Sequence, residues 1–113
     1  MDSERQIIFY KTYFQDFYLD QNEKVREKIA CIFKVINSVQ KIPAKFSKHL
    51  EGTDGLFEIR IEFESNIYRV FCCFDKGNLV VLFNAFQKKT QKTPKNEIEL
   101  AIKLKKEYFN SKN

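Results

Sequence analysis

Residues 56–88 read LFEIRIEFESNIYRVFCCFDKGNLVVLFNAFQK, and the period of that stretch decides the fold. Phe57, Ile59, Ile61 and Phe63 alternate with Glu58, Arg60 and Glu62, which puts successive side chains on opposite faces of a strand over 56–63. A turn at Glu64-Ser65 leads to a second strand over 67–74. Asp75-Lys76-Gly77-Asn78 is a further turn signal, before a third strand over 79–87. Three strands joined by tight turns make an antiparallel meander.

On both sides of the meander the period changes to that of helices. Upstream, Val25, Ile29, Ile32, Phe33 and Ile36 recur at helical spacing over 23–38, with Asp20 and Glu23 placed as a capping box and Pro43 beyond the expected end. A short helix over 13–19 and a short apolar strand over 6–10 precede it. Residues 41–55 form a polar connection, long for a small domain, and such loops are often functional. Downstream, Thr93-Pro94 reads as a cap with proline at the first helical position, and Ile98, Ala101, Ile102, Lys105 and Phe109 mark the inner side of a last helix. The order of elements predicts one small α+β domain over residues 1–113.

Composition fits that reading. The chain has 113 residues, 43% hydrophobic and 31% charged, with 12 Phe and 5 Tyr to close a single core. No apolar run reaches the ~20 residues that a membrane-spanning helix needs, and the first residues lack the charge and apolar run of a signal peptide, so the expected location is cytoplasmic. Cys31, Cys72 and Cys73 lack Cys-x-x-Cys spacing and share the chain with 1 His, so they read as reduced core residues, and neither a metal nor another cofactor is expected.

Charge is unevenly placed. Residues 1–83 hold 12 basic and 12 acidic side chains, whereas the eight lysines of residues 84–113 face three glutamates and account for the whole net charge of +5. Such a local excess suits an anionic partner. A Lys-rich end that merely keeps a small protein soluble is the plainer alternative.

With two-residue turns at Glu64-Ser65 and Lys76-Gly77, Arg60 falls opposite Arg69, and Arg69 opposite Asn84. Glu58, Arg60, Arg69, Asn84, Phe86 and Lys88 then share one face. The other face collects Phe57, Ile59, Ile61, Tyr68, Val70, Cys72, Phe74, Leu79, Val81, Phe83 and Ala85, and is the one to bury under helices. Two facing arginines repel, and a phosphate offsets both because guanidinium matches its geometry. Equally, Arg60 can pair with Glu58 or Glu62 while Arg69 reaches solvent. Phe86, beside these cations, can stack on a base or pack on the last helix.

The segments KHLEGTDGLFEIR (48–60), NIYRVF (66–71), LFNAFQKKTQKTP (82–94) and EIELA (97–101) resemble the RelE-like toxins of bacterial toxin–antitoxin modules, in particular the HigB-type, phage-derived subfamily. The resemblance implies a twisted antiparallel sheet with N-terminal helices on one side, a C-terminal helix, and an RNA-binding concave face. It implies an mRNA interferase acting in the ribosomal A site, neutralised by a cognate HigA-like helix-turn-helix antitoxin. The implied chemistry is metal-independent attack of the ribose 2′-OH on the neighbouring phosphate, leaving a 2′,3′-cyclic phosphate and a 5′-OH. On that reading Arg60 and Arg69 hold phosphate oxygens, and Lys88 or Lys89 stabilises developing charge or protonates the leaving group. Lys48, His49, Asn84, Phe86 and Lys92 position RNA. Glu58 is a candidate base, although an Arg partner would blunt it. His49 suits proton transfer near neutral pH and precedes a loop that can approach substrate. A non-catalytic RNA- or ribosome-binding module and a protein-interaction domain remain as alternatives.

Overall fold

A computed structural model describes residues 4–76 and 78–112. In chain order the elements are β1 (Gln6–Phe9), α1 (Tyr13–Leu19), α2 (Glu23–Ser38), β2 (Ser47–His49), β3 (Phe57–Phe63), β4 (Asn66–Asp75), β5 (Leu79–Lys88) and α3 (Lys95–Asn110). The strands form one sheet in the order β1-β5-β4-β3-β2, with the meander at its centre.

The sheet is mixed and not wholly antiparallel as expected, because β1 runs parallel to β5, with Gln6 opposite Leu79 and Phe9 opposite Leu82. A four-residue apolar run carries no signal of direction. The connection over 41–55 is not all loop either. Ser47–His49 pairs with β3 as an edge strand, and the Arg60 amide donates to the Phe46 carbonyl at 2.8 Å, extending the ladder.

The β3–β4 turn is as the sequence predicts. Glu64 and Ser65 have φ of 50° and 68°, the left-handed pair that a two-residue hairpin demands, and Phe63 faces Asn66. The next turn is longer by one residue, since Asp75 faces Leu79. Of the expected turn pair Lys76-Gly77, Gly77 lies outside the described residues. A second irregularity follows. Val70 faces Ala85 but Cys72 faces Leu82, so β5 spends one extra residue at Phe83-Asn84 as a β-bulge.

These two shifts move the face assignment. Ile59, Ile61, Tyr68, Val70, Cys72, Val80 and Leu82 pack against Val25, Ile29, Ile32 and Ile36 of α2 and Phe14 of α1. Leu56, Phe71, Cys73, Val81, Phe83 and Phe86 pack against Ala101 and Leu104 of α3. Val81 and Phe83 therefore belong under α3, not under α2. Phe74 is 36% exposed, and Leu104 takes the inner position on α3 that Ile102 leaves by facing outward.

The helix ends also differ from the expected caps. Asn22, not Asp20, caps α2, its side chain accepting from the Val25 amide at 2.9 Å. The α2 C-terminus lacks a glycine, and Arg5 satisfies it from a distance by donating to the carbonyls of Ile36, Val39 and Gln40. Pro94, not Thr93, occupies the N-cap position of α3, so the helix begins at Lys95, one residue later than expected.

The far end of α3 is tied to β4 by Asp75, which accepts from the Tyr108 hydroxyl at 2.7 Å and from Lys112 at 2.5 Å. Those bonds, Lys112 first, hold the Asp75 carboxyl down to about 2. A carboxyl with a folded pKa below its usual ~4 contributes stability above that value and loses it as pH falls toward the folded one. Thermal melts between pH 5 and 2 should therefore fall with acid, and Asp75→Asn should be less stable at pH 7 while showing a shallower fall.

Candidate functional site

The meander brings its charged side chains to one corner of the α3-side face, beyond the apolar area that α3 covers. Arg60 of β3 lies directly opposite Arg69 of β4, and Arg69 opposite Phe86 of β5. One step outward Ile67 faces Lys88, and one step inward Lys48 of β2 faces Glu58. An open groove of 530 Å³ is lined by Arg60, Ile67, Arg69, Lys88, Lys89, Thr90 and Gln91. A recess of 80 Å³ adjoins it, lined by Ala44, Ser47, Lys48, Glu58, Arg60 and Arg69. The two arginines are common to both, so groove and recess are one site with a guanidinium floor.

The two arginines are in different states. Arg69 and Glu58 form an ion pair through Nη1 and Oε1, with only 9% and 4% of their side chains exposed. Glu58 faces Phe71, so its carboxylate reaches Arg69 diagonally across the two strands. The Arg69 Nε is buried without a partner among the described residues. Arg60 instead meets Glu62 at 3.5 Å with side chains 42% and 61% exposed, a loose contact in water.

Lys88 sits at the junction of strand and basic loop. Burial, and then the Arg69 guanidinium with Arg60 and Lys48 beyond it, holds its ammonium below the usual lysine range, against an opposing pull from Glu58. The loop over residues 89–94 begins at a fixed point, because Gln87 donates to the Asn66 side chain at 3.1 Å. It ends at α3, where the Asn84 amide donates to the Glu97 carbonyl at 3.0 Å and to its carboxylate at 2.9 Å.

The site thus gathers Lys48, Glu58, Arg60, Arg69, Lys88 and Lys89. Four other expected residues are elsewhere. Asn84 is buried at the bulge and serves the start of α3. Phe86 is 8% exposed and packs on Phe71 with ring centroids 5.7 Å apart, so its faces are not open to a base. His49 is opposite Phe57 and rests edge-on against that ring at 5.3 Å, on the other side of the sheet from Glu58. Lys92 is exposed on the loop and does not line the groove.

Ser47, Ile67, Thr90 and Gln91 were missing from the expected set. Ile67 was legible as the strand neighbour two before Arg69. Ser47 needed the pairing of β2, which a three-residue strand does not announce.

Two other hollows lie away from these charges: a 420 Å³ apolar groove over α1 and α2 and a 410 Å³ hollow between residues 52–54 and α3. Among the described residues, no three His, Cys, Asp or Glu side chains gather as a metal-binding group, and no helix is long and apolar enough to cross a membrane.

Comparison with known proteins agrees with this architecture. The family model described as "Phage derived protein Gp49-like (DUF891)" matches residues 16–106, and the chain belongs to that family. No curated protein matches the sequence. Among solved structures, a chain of the RelB-RelE antitoxin-toxin complex from Methanococcus jannaschii has a similar fold, with a TM-score of 0.54 at 14% identity, over 77% of this chain and 99% of that one. The fold is RelE-like.

Removing one member of the buried pair strands the other charge. Arg69→Ala should cost about 3–5 kcal/mol, read from urea midpoints, whereas a joint Glu58→Leu, Arg69→Met replacement should recover most of that loss.

Proposed function

We propose that this Gp49-like chain is the HigB-type toxin of a type II toxin–antitoxin pair, an endoribonuclease that cuts ribosome-bound mRNA. The observation that carries the reading is the pair of facing arginines in an open groove walled by Lys88 and Lys89. Like charges placed opposite each other are unfavourable. The Glu58 carboxylate is committed to Arg69, and Arg60 has only the loose contact with Glu62, so Arg60, Lys88 and Lys89 are open to a further anion. RNA presents a phosphate at each nucleotide, and guanidinium and ammonium groups around it suit a chain drawn across the groove.

The step balances with solvent water as the proton acceptor. The 2′-oxygen gives its proton to water and forms a bond to phosphorus, and the bond from phosphorus to the 5′-oxygen breaks. That oxygen takes a proton from Lys88, which regains one from water, and a 2′,3′-cyclic phosphate and a 5′-OH result. Negative charge grows on the equatorial oxygens, and fixed cations aimed at them stabilise the transition state more than the ground state. Arg60 is the exposed clamp on those oxygens and Arg69 the fixed charge beneath. Lys88, easier to deprotonate than an ordinary lysine, is the donor to the departing 5′-oxygen. Lys48 and Lys89 hold the flanking backbone.

The family and the neighbour's place in an antitoxin-toxin complex support a protein partner that neutralises the toxin, here a HigA-like helix-turn-helix antitoxin. The ribosomal A site and the cytoplasm follow from the same reading. A second reading, RNA binding without cleavage, is favoured by one observation: His49 faces away and Glu58 is sequestered, so neither expected base stands free in the groove.

Inducible expression with mapping of mRNA 5′ ends decides between them. The toxin reading expects new ribosome-dependent ends with a 5′-OH, reduced roughly hundredfold by Arg60→Ala. Binding without new ends would leave the second reading.

The pH profile tests Lys88. A donor must be protonated, so cutting should fall as pH rises through the lowered Lys88 value, and Lys88→Arg should carry that fall to higher pH.

A further inference from the structure

We infer that Glu58 is a positioning residue that fixes Arg69 under the scissile phosphate, and that it does not take the proton from the attacking 2′-OH. The inference rests on the proposed cleavage and assigns a role within the same groove.

The geometry separates two otherwise similar arginine–glutamate contacts on one sheet face. Arg60 and Glu62 meet loosely in water, and either can leave the other at little cost. Arg69 and Glu58 are both out of water, and Glu58 contacts Arg69 through Nη1. A carboxylate used as a base must meet its proton at hydrogen-bond distance with a lone pair to spare. Glu58 is 3% exposed at the inner wall of the small recess, with Arg69 across its front and the cationic Lys48 beside it. Arg69 holds the Glu58 carboxylate directly, and Lys48 lies opposite it on the neighbouring strand. Were it to take a proton, that hold would weaken and the Arg69 charge would be left buried.

The same contact explains how Arg69 serves a phosphate while almost wholly buried. A guanidinium presents five N–H groups in a fixed fork. Glu58 holds one arm of that fork at Nη1, which limits how the group can turn before RNA arrives. Repulsion from Arg60 opposite would otherwise turn Arg69 aside. Arg69 is thus a rigid charge and Arg60 an adjustable one.

The test compares Glu58→Gln with Glu58→Ala on mRNA bound to ribosomes, reading kcat, KM and the pH profile, with circular dichroism to establish that each variant is folded. Gln keeps an oxygen for Nη1 and cannot act as a base. The inference expects Glu58→Ala to lower kcat by roughly ten- to hundredfold and Glu58→Gln to restore it to within about tenfold, with the acid side of the pH profile unmoved. A Glu58→Gln loss of roughly hundredfold or more, with the acid limb gone, would identify a base and overturn it. A folded, fully active Glu58→Ala would overturn it too, as the sign of a purely structural pair. Should Glu58→Ala fail to fold, the Glu58→Gln profile decides alone.

If the wild-type protein cuts nothing, the functional reading fails but this one is still read from binding. A 2′-deoxy oligonucleotide should then bind Glu58→Ala more weakly than wild type, and Glu58→Gln at least as tightly as wild type. Equal binding by all three would sink the inference.

Discussion

One extra residue in β5 organises both halves of the molecule. Before the bulge at Phe83-Asn84, Val80 and Leu82 face α2 while Val81 and Phe83 face α3. A strand alternates strictly, so without the insertion Ala85 and Gln87 would continue on the α3 side and Lys88 would point toward α2. The bulge reverses the alternation. Ala85 turns to the α2 cluster, Phe86 to the α3 cluster, and Lys88 comes to the face of Arg60 and Arg69. The apolar support and the charged corner therefore lie on one surface, continuous through Phe71 and Phe86.

That surface is divided by what each part can tolerate. α3 brings an apolar stripe, Ala101 and Leu104, and covers the region where Phe71, Cys73, Val81 and Phe83 project. It could not lie over Arg60, Lys88 and Lys89 without removing those charges from water unpaired, a cost that no available packing offsets. The chain instead carries residues 89–94 around the charged corner before α3 begins. Asn84 ties the two regions together, since it stands at the bulge and holds Glu97 in the first turn of the helix. An error at the bulge would disturb core, helix and groove at once.

Much of this was legible from residues 56–88, and the limits of that reading have an identifiable cause. The period of two in β3 and the Glu64-Ser65 turn placed Arg60 opposite Arg69 correctly. Two one-residue shifts followed: a longer turn after Asp75, then the bulge. For Phe86 and Lys88 the two shifts sum to two, so those residues keep the expected face although their partners change; Arg69 meets Phe86 and not Asn84. For Val81 and Phe83 only the first shift applies, and their faces reverse. Alternation shows that a residue belongs to one face or the other, but not where the count is broken. His49 suits the site by its chemistry and Asn84 by an unbroken register, but their environments depend on pairings with Phe57 and Glu97 that no local pattern encodes.

The bulk charge has a similar limit. Counting placed the whole excess of +5 after residue 83, yet the floor of the groove is made by Arg60 and Arg69, from the part of the chain that sums to zero. A sum counts Glu58 and Arg69 as cancelling. In space they do not cancel for a ligand, because Glu58 is sealed within the recess wall while the arginine also lines the open groove. Burial thus converts a neutral pair into an oriented dipole with its positive end toward the groove. Lys88 and Lys89 then add to a field that already points the right way. The charge that counts for an anionic ligand is set by which member of each pair the sheet turns outward, and in this chain the β5 bulge makes that choice for Lys88.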